Sequence, residues 1–167
     1  MTALEKNVVR KELTINASQK QAFQTFTKEL DLWWPRSHHI GKVEMKQAVL
    51  ETKEGGRWYE IGVDGSECNW GKVLIWNPPR KLVLAWQITA EWQYDPNFLT
   101  EVEANFIEQG PNLTHFTLEH RNIDRFGEKA QQIWGAFDSD GGWTGIIREF
   151  AKVAEAQKSS ESVGAGR

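Results

Sequence analysis

The chain has 167 residues, a net charge of -3 and a single cysteine, which fits one domain with its own core and excludes an internal disulfide or a cysteine-rich zinc site. The Lys and Arg residues form no basic block, so the charge pattern argues against a nucleic-acid partner. No signal peptide is recognisable and no run approaches the ~20 apolar residues of a membrane span, so we predict a cytoplasmic protein without integral membrane association.

The first predicted elements are a strand and a helix. Alternating apolar residues in VVRKELTIN predict the strand. Ser18 and Gln21 then form a capping box, in which each side chain satisfies a backbone donor at the start of a helix. Phe23 and Phe26 begin an apolar helical face that continues to the two tryptophans of LWWP. Pro35 ends this pattern, because proline has no backbone donor.

The middle of the chain predicts an antiparallel meander of six or seven strands. Six short β-rich runs follow one another: VEMKQAVLE, GRWYEIGV, CNWGKVLIW, KLVLAWQI, TEVEANFIE and LTHFTLEHR. Brief turn sequences such as KEGG and NPPR separate them. Turns of this length connect antiparallel neighbours, since a parallel crossover needs a dozen residues or more.

Two helical patterns close the chain. Segment 126–141 keeps helical spacing until DSDGG interrupts it, and the sequence assigns this segment no role. Trp143, Ile147 and Phe150 then begin an apolar stripe about three turns long. Small and polar residues predict a flexible tail over 158–167, which leaves 1–157 as a single domain. The order of elements predicts an α+β fold in which a curved sheet wraps around the long C-terminal helix.

Tryptophan is the most unusual component, with nine residues in the chain, several-fold above average usage. Strand alternation places many of these rings on shared faces. Any single ring is better explained as ordinary core, but walls of aromatic rings also line small-molecule pockets, and for the whole set we favour a pocket. We predict that a set of rings and one aliphatic residue contact a ligand: Trp33, Trp34, Trp58, Trp70, Trp86, Trp92, Phe106, Phe116, Trp134, Trp143 and Ile147.

Ionisable residues offer only weak candidates for catalysis. Glu60 and His120 share strand faces with large apolar residues, where either group can act as an acid, a base or a polar anchor. The alternatives are a solvent-side Glu60 and a hydrogen-bonded core His120. His38 and His39 are adjacent and point in opposite directions on extended backbone, so they cannot easily hold one metal ion together. We interpret them as bystanders in a solvated loop. We predict no metal site and no cofactor.

The segments LWWP, GGRW, WNPPRKLVLAW and GGWTGIIREFAKVAE follow one another in an order that resembles the START-like, or SRPBCC, superfamily. More narrowly, residues 8–157 resemble the family of activators of the heat-shock protein 90 ATPase. The resemblance implies a helix-grip fold with a cavity between sheet and C-terminal helix. It would place Trp33, Trp34 and Pro35 near the cavity mouth and Trp143 at the start of the gripping helix. The insertion FGEKAQQIWGAFDSD departs from the family pattern.

Three functions remain open at this level. The leading hypothesis is the binding of a hydrophobic or aromatic small molecule without enzyme activity. The alternative is a cyclase, dehydratase or hydrolase acting on a polyketide-like or cyclic substrate, as some relatives in the superfamily do. The third is a chaperone ATPase-activating module, against which we count the lack of the additional N-terminal domain expected of a true co-chaperone. Either a monomer or a homodimer is compatible with the sequence.

Overall fold

The computed structural model describes the backbone of residues 5–165 and the side chains of residues 6–157. The backbone of the last helix is described as far as Ala165. The flexible tail over 158–167 stays a prediction. The side chains of 158–167 lie outside the described residues.

Seven antiparallel strands form one sheet, as the alternation of apolar residues predicts. The strands are β1 (Val8–Ile15), β2 (Met45–Leu50), β3 (Arg57–Gly62), β4 (Glu67–Asn77), β5 (Lys81–Trp86), β6 (Thr100–Gly110) and β7 (Leu113–Arg121). Their order across the sheet is β1-β7-β6-β5-β4-β3-β2. Strands β2 to β7 therefore pair in chain order, and β1 closes the sheet by pairing with the last strand.

A short helix, α1 (Gln19–Phe26), follows the first strand, as the capping pattern predicts. The Ser18 hydroxyl oxygen accepts the backbone N–H of Gln21 at 3.1 Å. The Gln21 side chain donates to the hydroxyl of Thr25 and to the amide oxygen of Gln157. These side-chain bonds join α1 to the C-terminal helix, and a 3-10 helix (Leu30–Leu32) then leads into the two tryptophans.

The C-terminal region contains two α-helices after a 3-10 helix (Ile123–Lys129). They are α2 (Ala130–Asp138) and α3 (Trp143–Ala165). Segment 126–141 therefore contains the end of the 3-10 helix and the whole of α2. Among the described residues, no helix has both the length and the apolar character needed to cross a membrane. The long helix packed on a curved antiparallel sheet confirms the predicted α+β helix-grip fold.

Aromatic side chains divide the core into two groups. The first group, here called the phenylalanine cluster, packs around α1 and the middle of α3, and the centroids of its contacting rings lie 5.0–6.4 Å apart. Its members are Phe23, Phe26, Phe106, Phe116 and Phe150. The second group contains mostly tryptophans and lies where α3 begins. The phenylalanine cluster forms the filled part of the core, and the tryptophan-rich group surrounds a cavity.

The close approach of β4 and β5 requires glycine at position 71. A Cβ atom at Gly71 would overlap the backbone carbonyl oxygen of Ala85 on the neighbouring strand. Because this neighbour is backbone, it cannot move aside without disturbing the sheet.

We therefore expect Gly71→Ala to lower the free energy of unfolding by about 3 kcal/mol or more. Urea unfolding would measure the change. The matched control is Gly135→Ala, since Gly135 lies in the exposed face of α2, where an added Cβ atom would meet open space. That control should gain about 0.5–1 kcal/mol from helix propensity. Similar unfolding midpoints for the two variants would contradict the assigned strand spacing.

Candidate binding cavity

A cavity of about 340 Å³ lies at the end of the sheet where α3 begins. Its walls come from β4, β5, the loop of residues 37–40, the end of α2 and the first turn of α3. Five tryptophans line it: Trp34, Trp70, Trp86, Trp92 and Trp143. We call this space the tryptophan cavity. Its volume falls near the lower end of the range of small-molecule sites.

The sheet-borne rings of the cavity have their N–H groups turned to protein acceptors. The Trp70 indole donates to the Glu60 carboxylate at 2.8 Å. The Trp86 indole donates to the carbonyl oxygen of Ile88 at 3.1 Å. These bonds fix the ring orientations and satisfy the one polar atom of each side chain, so that both rings offer apolar surface to a ligand.

The two rings on the opposite wall are held in the same way. The Trp34 indole donates to the carbonyl oxygen of His38 at 2.9 Å, and the Trp143 indole donates to Nδ1 of His120 at 3.1 Å. The centroids of Trp34 and Trp143 lie 6.1 Å apart in an edge-to-face arrangement. Four of the five lining tryptophan rings are therefore oriented by indole hydrogen bonds within the protein.

Trp92 lies at the mouth of the cavity. Its side chain is 48% exposed, and its ring packs 6.3 Å from Phe137 of α2. The backbone of Trp92 has φ 60°, a left-handed conformation that is rare and strained for a bulky residue. The loop tolerates this strain and places a large apolar ring over the cavity opening.

The two histidines interpreted as bystanders both line the cavity, which corrects that interpretation. The His38 backbone N–H donates to the carbonyl oxygen of Pro35 at 3.0 Å, which closes a turn over Arg36 and Ser37 just before the two histidines. Nε2 of His38 donates to the carbonyl oxygen of Gly141 at 2.6 Å, and its Nδ1 accepts from the Ser37 hydroxyl at 3.0 Å. His38 thus joins the loop to the turn between α2 and α3.

Glu60 is 1% exposed, so it does not lie on the solvent side of β3. Its Oε1 accepts the backbone N–H of Ile40 at 2.7 Å as well as the Trp70 indole. Its Oε2 accepts the backbone N–H of Gly41 at 3.1 Å. The carboxylate therefore holds both the Trp70 ring and the loop of residues 37–40, here called the histidine loop. It does not itself line the cavity.

His120 is fully buried behind the cavity wall. Nδ1 must be unprotonated, because it accepts from the Trp143 indole, which can only donate. Nε2 therefore carries the proton and donates to the Thr100 hydroxyl at 2.8 Å. Burial lowers the pKa of His120 from 6.5 to about 3. Since both nitrogens are engaged, the geometry gives His120 a structural role in holding Trp143.

The buried His120 makes the fold sensitive to acid. The unfolded chain protonates this imidazole below about pH 6.5, whereas the folded chain resists protonation down to a pKa of about 3. Falling pH therefore favours the unfolded state within this window. We expect up to about 1.4 kcal/mol of stability to be lost per pH unit between about pH 6 and about pH 4.

Urea unfolding at a series of pH values between about 6 and about 4 measures this loss of stability. The same series on His120→Gln provides the control. Glutamine retains an amide that can meet Trp143 or Thr100, but it does not titrate in this range. The variant should therefore show a shallower pH slope than the parent chain, even where it is less stable overall. Equal slopes would contradict the assignment of acid sensitivity to His120.

The remaining predicted ligand contacts lie outside the cavity lining. Phe106 and Phe116 belong to the phenylalanine cluster, and Trp33 packs against its members Phe26 and Phe150. Trp58 is buried behind the lining rings, 5.6 Å from Trp70. Two more positions differ from the prediction. Trp134 is half-buried and donates to the carbonyl oxygen of Val8, and Ile146 lines the cavity where the sequence predicts Ile147.

Five apolar lining residues escape the sequence prediction: Ile40, Ile88, Ala136, Phe137 and Ile146. Phe137 belongs to the helical pattern of segment 126–141, whose role the sequence does not reveal. Its ring stacks on His120 with a centroid distance of 4.5 Å and meets Trp86 at 5.2 Å. Helix α2 therefore supplies part of the cavity wall. Within the described part of the chain, no cluster of His, Cys, Asp or Glu side chains has metal-binding geometry.

Comparison with known protein families identifies the family of this chain. Residues 16–155 match the model of the family described as "Activator of Hsp90 ATPase homolog 1-like protein". The chain belongs to this family. The match covers the sheet from β2 onward, α1, α2 and all the residues that line the tryptophan cavity. No curated protein matches the sequence significantly.

Several solved structures are similar to this family member. The anthrahydroquino-gamma-pyrone synthase Txn09 is 36% identical, with 87% of this chain and 96% of that chain covered and a TM-score of 0.62. The self-sacrificing resistance protein CalC from Micromonospora echinospora is 30% identical, with 91% and 96% covered and a TM-score of 0.69. Protein NE0264 from Nitrosomonas europaea shares the fold at 12% identity, with 95% and 100% covered and a TM-score of 0.65.

Proposed function

We propose that this chain binds a flat, hydrophobic aromatic molecule in the tryptophan cavity. The observation that carries the proposal is a preformed cavity of about 340 Å³ walled by five tryptophan rings. Each buried lining ring already has a protein acceptor for its N–H group. The walls therefore offer ring faces and edges, and a planar aromatic ligand makes offset-stacked and edge-to-face contacts with such surfaces.

The geometry favours a planar ligand over a flexible aliphatic one. A rigid polycycle loses little conformational freedom on binding, whereas an alkyl chain must give up many rotamers. Among the lining rings, Trp70 and Trp143 also lie at 38° and 76° to Trp34, which suits the edges of a fused ring system. The relatives support this choice, because the name of the synthase Txn09 refers to a fused aromatic compound and that protein is 36% identical.

Fluorescence titration tests the proposal. The probe is 2-methylanthracene, a planar three-ring hydrocarbon, and the control is 1-pentadecanol, which has the same number of carbon atoms in a flexible chain. We expect the anthracene to quench tryptophan emission with an affinity on the order of micromolar. The alcohol should bind at least about tenfold more weakly. Equal binding of the two, or none of the anthracene, would overturn the proposal.

A second candidate function is the cyclisation of a polyketide-like aromatic precursor. The observation that favours it is the similarity to Txn09, whose name is that of a synthase, together with two imidazoles in the cavity wall. Incubation with an uncyclised precursor of an anthrahydroquino-gamma-pyrone, followed by mass spectrometry, tests it. Product formation no faster than with heat-denatured chain would remove this candidate and leave the binding function in place.

A further inference from the structure

His39 differs from the other polar side chains of the cavity. It is half-buried and belongs to the cavity lining. Its Nδ1 lies 3.0 Å from the carbonyl oxygen of Gly41. Because a carbonyl oxygen only accepts, Nδ1 carries the proton and Nε2 bears a free lone pair. No partner for Nε2 is found among the described residues.

The surroundings hold this ring in one orientation. Oε2 of Glu60 lies 3.9 Å from Nδ1 of His39, and the same carboxylate accepts the backbone N–H groups of Ile40 and Gly41. The protonated nitrogen therefore faces a carbonyl and a carboxylate, both of which stabilise a proton there. A fixed Nδ1–H is the arrangement that leaves Nε2 available as an acceptor.

The neighbouring polar groups of the lining are already engaged. Both nitrogens of His38 have partners, and the Ser37 hydroxyl donates to one of them. The Ser139 hydroxyl donates to the carbonyl oxygen of Ala136. Among the lining side chains in the described part of the chain, Nε2 of His39 is thus the imidazole acceptor without a protein partner.

We propose that His39 selects ligands that carry a phenolic hydroxyl group, whose O–H donates to Nε2. This inference rests on the proposed function, since it specifies the chemical class of the aromatic ligand. The cavity then binds hydroxylated polycycles in a preferred orientation, with the rings between tryptophans and the hydroxyl group at the histidine loop. Glu60 acts as a positioning residue, because it holds the loop that presents His39.

A matched pair of probes tests the inference. 2-Hydroxyanthracene and 2-methylanthracene have nearly the same size and differ in one hydrogen-bond donor. The parent chain should bind the hydroxylated probe about threefold to tenfold more tightly. His39→Phe keeps a flat ring without an acceptor, so it should lose this preference between the two probes.

His39→Gln serves as the conservative variant, since its amide oxygen can accept near the position of Nε2. It should keep part of the preference. The matched control is His115→Phe, because His115 lies on β7 and pairs with Glu12 away from the cavity. That control should keep the full preference. Thermal unfolding of all variants establishes that each one folds.

The outcomes separate the two claims. Binding of both probes with equal affinity by the parent chain, or an unchanged preference in His39→Phe, overturns the role of His39 and leaves the proposed function standing. Failure of the parent chain to bind either probe overturns the proposed function and this inference with it. A preference lost in His39→Phe and retained in His115→Phe supports the assignment.

Discussion

Replacing Trp86 with Ala should abolish the binding of 2-methylanthracene. The Trp86 ring lies at the centre of the cavity wall, with ring centroids 5.7 Å from Trp58, 6.1 Å from Trp143 and 5.2 Å from Phe137. Its removal takes away a stacking surface and opens the cavity to its neighbours. Because truncation of a central aromatic contact costs about 2 kcal/mol or more in typical interfaces, we expect affinity to fall by at least about thirtyfold.

The variant also tests the packing of the core. A Trp→Ala change in a filled core costs about 3–5 kcal/mol of stability, so binding must be measured at a temperature where the variant is folded. Trp76→Ala is the matched control. Trp76 packs on Phe23 of the phenylalanine cluster, outside the cavity lining. It should lose stability but keep its affinity, and unchanged binding in folded Trp86→Ala would contradict the proposed site.

Glu60→Ala should be among the most destabilising substitutions in the chain. It removes the acceptor for three donors: the backbone N–H groups of Ile40 and Gly41, and the indole of Trp70. Each buried donor left without a partner costs about 1–3 kcal/mol. We expect a total loss of about 3–6 kcal/mol in urea unfolding, with a disordered histidine loop and weaker binding of 2-hydroxyanthracene.

Glu60→Gln should cause only part of this loss of stability. The amide oxygen can still accept at the position of Oε1, but the amide nitrogen meets the Gly41 N–H as a second donor. An intermediate loss of about 1–3 kcal/mol is therefore expected. Glu67→Ala is the control, since Glu67 forms an exposed ion pair with Arg57 worth less than about 1 kcal/mol. A loss in Glu60→Ala as small as in this control would contradict the structural role of the carboxylate.

The fold was largely predictable because it depends on local periodicity. Alternation in the strands and helical spacing in α1 and α3 each identify a buried face, and short turns dictate antiparallel pairing. The position of each ring along the sheet was not predictable, because strand register is set by long-range pairing. Phe106 pairs with Phe116, whereas Trp86 pairs with Thr100 and belongs to the other end of the core.

The adjacent residues Trp33 and Trp34 show that sequence spacing alone does not predict which side chain lines the candidate site. Trp33 turns to Phe150 of the phenylalanine cluster, 5.3 Å away, while Trp34 turns to Trp70 in the cavity wall, 5.1 Å away. Sequence spacing says that the two rings diverge but not which of them meets the cavity.

The sequence interprets His38 and His39 as bystanders, yet both line the cavity. Long-range contacts place their loop there, because His38 donates to the carbonyl oxygen of Gly141 and Glu60 accepts the backbone N–H groups that follow His39.

The indole N–H signals of the nine tryptophans offer the most direct test of the central claim, that an aromatic molecule occupies the tryptophan cavity. We would record proton–nitrogen correlation spectra of the tryptophan-labelled chain during titration with 2-hydroxyanthracene, with signals assigned by substitution. Ring currents from a ligand in the cavity should shift Trp34, Trp70, Trp86, Trp92 and Trp143. Signals from Trp33, Trp76 and Trp134 should stay in place. Shifts confined to these last three, or no shifts at saturating probe, would contradict the account.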